Sequence, residues 1–235
     1  MALERRILLS WSGGKDAAWA LHRLRAAPAA GSDVVGLVTT VVPEFDRIAM
    51  HGVRASLVRT QAAATGLPLL EVALSWPSSN ERYEAAFTEA LDAARTRWGV
   101  THVAFGDLFL SDIRAYREAL LARVGLVPLF PLWGEPTEPL LAAMLRGGLR
   151  AHIVCLDPTR VSRTLAGREL DAGLVAQLPA EVDRCGERGE FHTFVAAGPM
   201  LRHQVAVQPG QIVERDGFVF ADLLPADTLI AEPAS

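Results

Sequence analysis

The sequence predicts an α/β fold: a parallel sheet covered by helices on both faces, then a smaller β-rich domain. Three observations predict it. Apolar runs of strand length alternate with amphipathic segments through the first half of the chain. A glycine turn, Ser12-Gly13-Gly14, joins the first apolar run to the first amphipathic segment. Prolines at 128, 131, 136 and 139 then interrupt the alternation, and the last third carries β-branched runs and a hairpin signal.

Taken in order, residues 6–11 read as a strand and 16–24 as a helix with Ala17, Leu21 and Leu24 on one face. Residues 34–42 are uncharged and β-branched, a buried strand. Residues 55–65 are helical and stop at Gly66 and Pro68; 69–74 form the next strand. Residues 81–98 make a long amphipathic helix closed by Gly99. Strand 102–105 runs into Gly106-Asp107, and helix 113–123 is closed by Gly125. Parallel sheets bind ligands beyond the carboxyl ends of their strands, where Ser12-Gly13-Gly14, Thr39-Thr40 and Gly106-Asp107 fall. Further on, strands are expected at 191–196, 204–207, 211–215 and 218–221, with Asp216-Gly217 as a turn. Residues 225–235 read as a frayed tail. The division falls at 1–126 and 127–235, with the two parts able to share one continuous sheet.

A length of 235 residues suffices for one large domain or two modest ones. The formal charge is 23 − 27 = −4, which gives no broad cationic field for stable nucleic-acid binding. Cys155 and Cys185 are far apart and form no C-x-x-C, as in a reduced cytoplasmic protein. Met1-Ala2-Leu3-Glu4-Arg5-Arg6 lacks the apolar core of a leader, and no stretch approaches membrane-spanning length.

Lys15 is the only lysine, and it follows the glycine turn directly in Ser12-Gly13-Gly14-Lys15-Asp16. Lysine brings a compact point charge, glycines let the backbone approach closely, and a helix start offers free N–H groups. Together they make a phosphate cradle. The pattern is neither of two common ones. A G-x-x-x-x-G-K-[ST] loop would need glycine at Leu9 and a hydroxyl at Asp16. A G-x-G-x-x-G turn begun at Gly13 would need glycines at Lys15 and Ala18. The other dense polar segment runs Asp183-Arg184-Cys185-Gly186-Glu187-Arg188-Gly189-Glu190-Phe191-His192-Thr193. It reads as a solvated turn, as a reactive loop, or as half a zinc site with Cys185 and His192 as the only two ligands.

The turn resembles the PP-loop of the ATP pyrophosphatases, Ser-Gly-Gly-x-Asp-Ser, with Ala17 in place of the last serine. With the second segment, the chain resembles the diphthine–ammonia ligase family of that superfamily over nearly its whole length. Its carriers are Ser12-Gly13-Gly14-Lys15-Asp16, Met50-His51-Gly52, Gln61-Ala62, Gly106-Asp107, Pro131-Leu132-Trp133, Gly167-Arg168 and the segment from Glu187 to Thr193. Arg188 and His192 depart from the family's Glu-Gly-Gly-Glu-[Phe/Tyr]-Glu-Thr, and Leu110-Ser111-Asp112-Ile113 stands where other members carry Ser-x-Tyr-Gln. These departures resemble the bacterial branch, whose acceptor is not diphthine.

The resemblance implies a HUP-type, PP-loop-like nucleotide-binding domain followed by a domain that shapes the acceptor site. It implies ATP and Mg²⁺, a carboxylate acceptor on a small molecule or protein, adenylation with release of pyrophosphate, and free ammonia as nitrogen donor. Ser12, Gly13, Gly14 and Lys15 would hold phosphates, and Asp16 would ligate Mg²⁺ or simply start the helix. Thr39 and Thr40 would lie against adenine or merely end the strand. Gly106 and Asp107 face the phosphate side, Asp107 as a second metal ligand or a helix cap. Glu187, Glu190 and His192 are the acceptor-side candidates for proton transfer, and Lys15 and Asp16 complete the catalytic set. His51 faces the acceptor, and Arg168 binds its carboxylate or makes a structural ion pair. The superfamily also implies a homodimer. Three other readings stand beside the ligase: a paralogue acting on a small carboxylate such as a cobalamin precursor, a tRNA-modifying enzyme, and a non-catalytic ATP-binding module.

Overall fold

The computed structural model describes residues 4–29, 31–49 and 51–226. Met50, quoted above in a sequence motif, and residues 227–235, most of the expected tail, lie outside the described residues. The first sheet is built from β1 (Arg5–Ser10), β2 (Ser32–Val42), β3 (Arg47–Ile48), β4 (Leu69–Ala73), β5 (His102–Ala104) and β6 (Val127–Leu129). Five of these strands run parallel in the spatial order β4-β2-β1-β5-β6, and the short β3 pairs antiparallel with the end of β2. Between them come α1 (Lys15–Ala26), α2 (Ala55–Thr65), α3 (Asn80–Trp98) and α4 (Ser111–Arg123).

Strand alternation divides the core. Leu8 of β1, Val38 of β2, Val72 of β4 and Val103 of β5 pack with Phe87 and Leu91 of α3 and with Leu120 and Leu121 of α4. Their neighbours Ile7, Leu9 and Leu37 face the opposite way, onto Ala18 and Leu21 of α1 and Leu57 and Val58 of α2. Burying one such leucine contributes about 2 kcal/mol, which is why the period-two pattern dictates the layering. The expected two-faced parallel sheet is what forms.

The second half holds α5 (Thr137–Arg146), β7 (Arg150–Leu156), the single turn α6 (Ala172–Val175), β8 (Phe191–Ala197), β9 (Val207–Arg215) and β10 (Phe218–Pro225). Its four strands form a separate antiparallel sheet in the order β8-β7-β10-β9, not a continuation of the first. Its buried residues Ile153, Phe194, Val195 and Val219 join the cluster that contains α1 and α2, so one core runs through both sheets. No strand forms at 204–206; β9 starts at Val207 and continues through Pro209 and Gly210 as an edge strand, where a missing N–H is tolerated. Strand β7, central in its sheet, was not expected from the sequence, nor was α5. Pro225, expected in the tail, is the last residue of β10.

No helix among the described residues is long and apolar enough to cross a membrane. The start of α1 packs onto the end of β5 with no spare volume: a Cβ on Gly106 would lie 2.7 Å from the Ala17 nitrogen and 2.8 Å from the Asp16 carbonyl carbon. Backbone cannot yield as a side chain can. Gly106→Ala is therefore expected to lose on the order of 1–3 kcal/mol of stability in a denaturant titration; a variant as stable as the parent would contradict this packing.

Candidate active site

Strand order reverses between β1 and β5, and the turn after β1 opens into that crevice. Gly13 holds φ at +81°, a left-handed value that suits glycine. Gly14 is the N-cap of α1 and offers no side-chain cap. The second sheet completes the turn instead. The Lys15 N–H donates to Thr193 Oγ1 at 3.1 Å, and the Val195 N–H donates to the Gly13 carbonyl at 2.9 Å. Gln61 of α2, fully buried, accepts the Trp11 indole N–H at 2.7 Å. Its Nε2 donates to the carbonyls of Gly13 at 3.0 Å and Val195 at 2.6 Å. The sequence reading gave Gln61 no role; a lone long amide on an alanine-rich helix face was the signal it offered.

Lys15 is not the mobile point charge the sequence suggested. Its side chain is packed in, with the residue 2% exposed. Nζ donates to Asp16 Oδ2 at 2.8 Å and to the Cys185 carbonyl, and it lies over the Phe191 ring. Burial works most strongly against the charge, but Asp16, Cys185 and Glu187 together outweigh it and the Lys15 pKa is raised. Burial leaves the Asp16 carboxyl above its ordinary range, although Lys15 pulls it down. Asp16 Oδ1 is buried without a hydrogen-bond partner among the described residues.

Two adjoining cavities meet at this turn. A polar one of about 230 Å³ is lined by Ser12, Gly14, Asp16, His51, Glu187 and His192, among others. A more apolar one of about 570 Å³ is lined by Thr39, Thr40, Trp76, Tyr83, Phe87 and Tyr116, among others. Ser12, His51 and Arg117 border both. Glu187 Oε1 accepts the Leu108 N–H at 2.7 Å, and burial pushes its carboxyl up to about 7. The His51 and His192 rings lie 4.4 Å apart, tilted by 37°. Burial lowers both, His192 to about 4 and His51 well below its usual value, so both are neutral at physiological pH.

Two expected residues are placed otherwise. Glu190 is wholly buried below the loop and borders neither cavity; its Oε1 accepts from Arg160 and the Asp183 N–H, its Oε2 from the Arg188 N–H. It shapes the segment that carries Glu187. Arg168 also lies off both cavities and donates to Gln177 Oε1 at 3.1 Å. Gly106 and Asp107 do line the polar cavity, but both Asp107 oxygens accept from Arg117, and the residue does not cap α4. Among the described residues, no cluster of three or more His, Cys, Asp or Glu has an arrangement that could hold a metal ion.

Residues 5–128 match the family model described as the diphthamide synthase N-terminal domain, more than half of the chain. The chain belongs to the diphthamide synthase family. Similar proteins named diphthine–ammonia ligase occur in Danio rerio, 28% identical over 89% of this chain and 89% of its own, and in Homo sapiens, 26% identical over 92% and 88%. A third, from Schizosaccharomyces pombe, is 26% identical over 86% of this chain, which spans only 36% of that relative's length. The family segment ends within β6, so the turn, Thr39-Thr40 and Asp107 lie inside it, while Glu187 and His192 lie beyond.

The raised Glu187 carboxyl sets a stability window. Its folded value is about 7 against an ordinary value of 4.5, so between these pH values the folded chain keeps a proton that the unfolded chain has lost. Stability from this group is therefore complete below the lower value and falls as pH rises towards the upper one. Glu187→Gln removes that fall: its stability relative to the parent is expected to improve steadily across the window in denaturant titrations. A pH-independent difference would contradict the assignment.

Proposed function

We propose that this chain is an ATP-dependent amide ligase that adenylates a carboxylate, releases pyrophosphate and transfers the acyl group to ammonia. One observation carries the reading: the Ser12-to-Asp16 turn lies between an apolar cavity sized for a nucleoside and a polar cavity holding an acid that titrates near neutrality. The relatives' shared name points to the same chemistry. The adenine and ribose would occupy the larger cavity beside Thr39 and Thr40, with Tyr83 and Trp76 offering aromatic surface. The triphosphate would run past Ser12 and Gly14 to the start of α1, where the helix dipole favours negative charge. Lys15 uses two of its three donors within the chain and keeps one for a phosphate oxygen.

Asp16 Oδ1, buried and unpartnered, suits a Mg²⁺ that travels with the phosphates and takes a single protein carboxylate. Asp107, spent on Arg117, does not suit that role. When bound, the ion would neutralise charge on the phosphates.

The acceptor carboxylate oxygen attacks the α-phosphorus, the bond to the bridging oxygen breaks and pyrophosphate leaves. Ammonia then adds to the acyl carbon, gives up a proton and expels AMP. Glu187 is the base for that proton: Oε1 is fixed by Leu108, Oε2 remains, and a value near 7 suits proton exchange at working pH. The neutral His51 and His192 imidazoles can orient the acceptor or ammonia without repelling either the ammonium ion or the charged Lys15. A cytoplasmic reaction is part of this proposal. The acceptor is diphthine, as the relatives' name says of them, or another carboxylate admitted by the small polar cavity.

Incubation with Mg·ATP, ammonium and a panel of carboxylates that includes diphthine-bearing protein is expected to yield AMP and pyrophosphate in equal amounts. ADP and phosphate as products would overturn the reading. With a working acceptor, kcat should rise with pH through about 7 as Glu187 ionises. Glu187→Gln should lower kcat by about 100-fold and abolish that limb; a retained limb would assign the base elsewhere.

A further inference from the structure

The loop between β3 and α2 contributes Ala49 and His51 to the larger cavity, and its His51 joins Ser10, Ser12, Ile113 and Arg117 in the wall that both cavities share. Among the described residues, its backbone is tied to the first sheet by the two-residue ladder of β3 and an Ala49 N–H bond to the Thr40 carbonyl at 3.1 Å, and Ile48 and Val53 at its edges are buried in the core. A further anchorage comes from β10. Arg47 Nη1 donates to Asp222 Oδ1 at 2.6 Å and to the Gly52 carbonyl at 3.0 Å. Arg54, at the other end of the loop, donates from Nε to Asp222 Oδ1 at 3.1 Å and from Nη2 to Oδ2 at 2.5 Å. The tip is pinned as well: a Cβ on Gly52 would meet the Phe220 ring at 2.7 Å.

One carboxylate thus ties both ends of the loop to the second sheet. Its side chain is only 15% exposed. Burial opposes its charge, yet the two guanidiniums outweigh burial and hold the carboxyl below its ordinary value. A network of this kind is worth more than an exposed ion pair, because removing its centre leaves two arginines unpaired in a half-buried place. The loop would then be free to swing as a unit, and His51 would leave its contact with His192.

We propose that Asp222 is a positioning residue of the active site: through Arg47 and Arg54 it sets the loop that places His51 between the two cavities and against His192. The second sheet thereby shapes the nucleotide side of the site and not only the acceptor side. The catalytic meaning of this placement rests on the ligase reading, whereas the placement itself can be tested without it.

The test compares Asp222→Ala, Asp222→Glu and a control, Val219→Ala, in the same strand. Val219 is fully buried in the core, on the face of β10 opposite to Asp222, and makes no hydrogen bond to Arg47 or Arg54 with its apolar side chain. Each variant is read in three ways: melting temperature, Mg·ATP affinity by calorimetry, and the titration of the His51 ring by nitrogen-resolved NMR. Asp222→Ala is expected to weaken ATP binding about tenfold. It should also move the His51 midpoint up towards the ordinary value of 6.5 as the ring leaves its buried place beside His192 and Lys15. Asp222→Glu, which keeps the charge, should restore most of both. Val219→Ala should lower the melting temperature and change neither. A His51 titration unchanged in Asp222→Ala, or shifted equally by Val219→Ala, would overturn the proposal. Should Asp222→Ala not fold, Asp222→Asn keeps the shape without the charge and is judged by the same outcomes. If the parent protein binds no ATP, the ligase reading fails while the His51 titration still decides the positioning claim.

Discussion

The rest of the structure depends on burying a single ammonium group between two sheets. Lys15 sits where the first sheet's turn meets the second sheet's loop, in contact with Asp16 from its own helix and the Cys185 carbonyl from across the seam. A charge in such a place is tolerable only when a counter-charge adjoins it and most of its donors are met. That requirement fixes the loop around Cys185 against the start of α1. Gln61, Thr193 and Val195 do the same for the uncharged groups of the turn. The turn after β1 is therefore held because it is shared, and neither sheet alone supplies all of its partners.

The same seam governs the chemistry. Closing it around Lys15 removes water from Glu187, His51 and His192, and burial is the leading cause of every shift among these three groups. A carboxyl lifted to about 7 and two imidazoles kept neutral form a site that carries little charge of its own until a nucleotide enters. Fixed dipoles and a buried cation in such surroundings act on a transferring phosphate more strongly than they would in water.

Much of this was legible in the sequence. Residues 55–65 show helical period and a closing glycine, and α2 has those bounds. The strands of the first sheet were readable because each side of the alternation is buried against its own helices. Short or proline-bearing elements were not: β6 is three residues long with Pro128 at its centre, α5 opens within a run of prolines, and of β9 only the part after Pro209 and Gly210 was readable. In the site, Ser12, Gly14, Lys15, His51, Glu187 and His192, drawn from three separate motifs, line one cavity. Glu190 and Arg168 do not, since their partners Arg160 and Gln177 are local structural needs that no motif announces. Asp107 is claimed by Arg117, one helical stretch away, and Gln61 and Asp222 act across distances in sequence that only the fold closes.

The account stands most directly on where the innermost phosphorus of the nucleotide comes to rest. A crystal structure with Mg²⁺ and an ATP analogue that resists cleavage between the α- and β-phosphates would show it. The account predicts adenine beside Thr39 and Thr40, the outer phosphates along Ser12 and Gly14, and the α-phosphate in the polar cavity facing Glu187. An occupied nucleotide site elsewhere, or an α-phosphate turned away from Glu187 towards solvent, would contradict it.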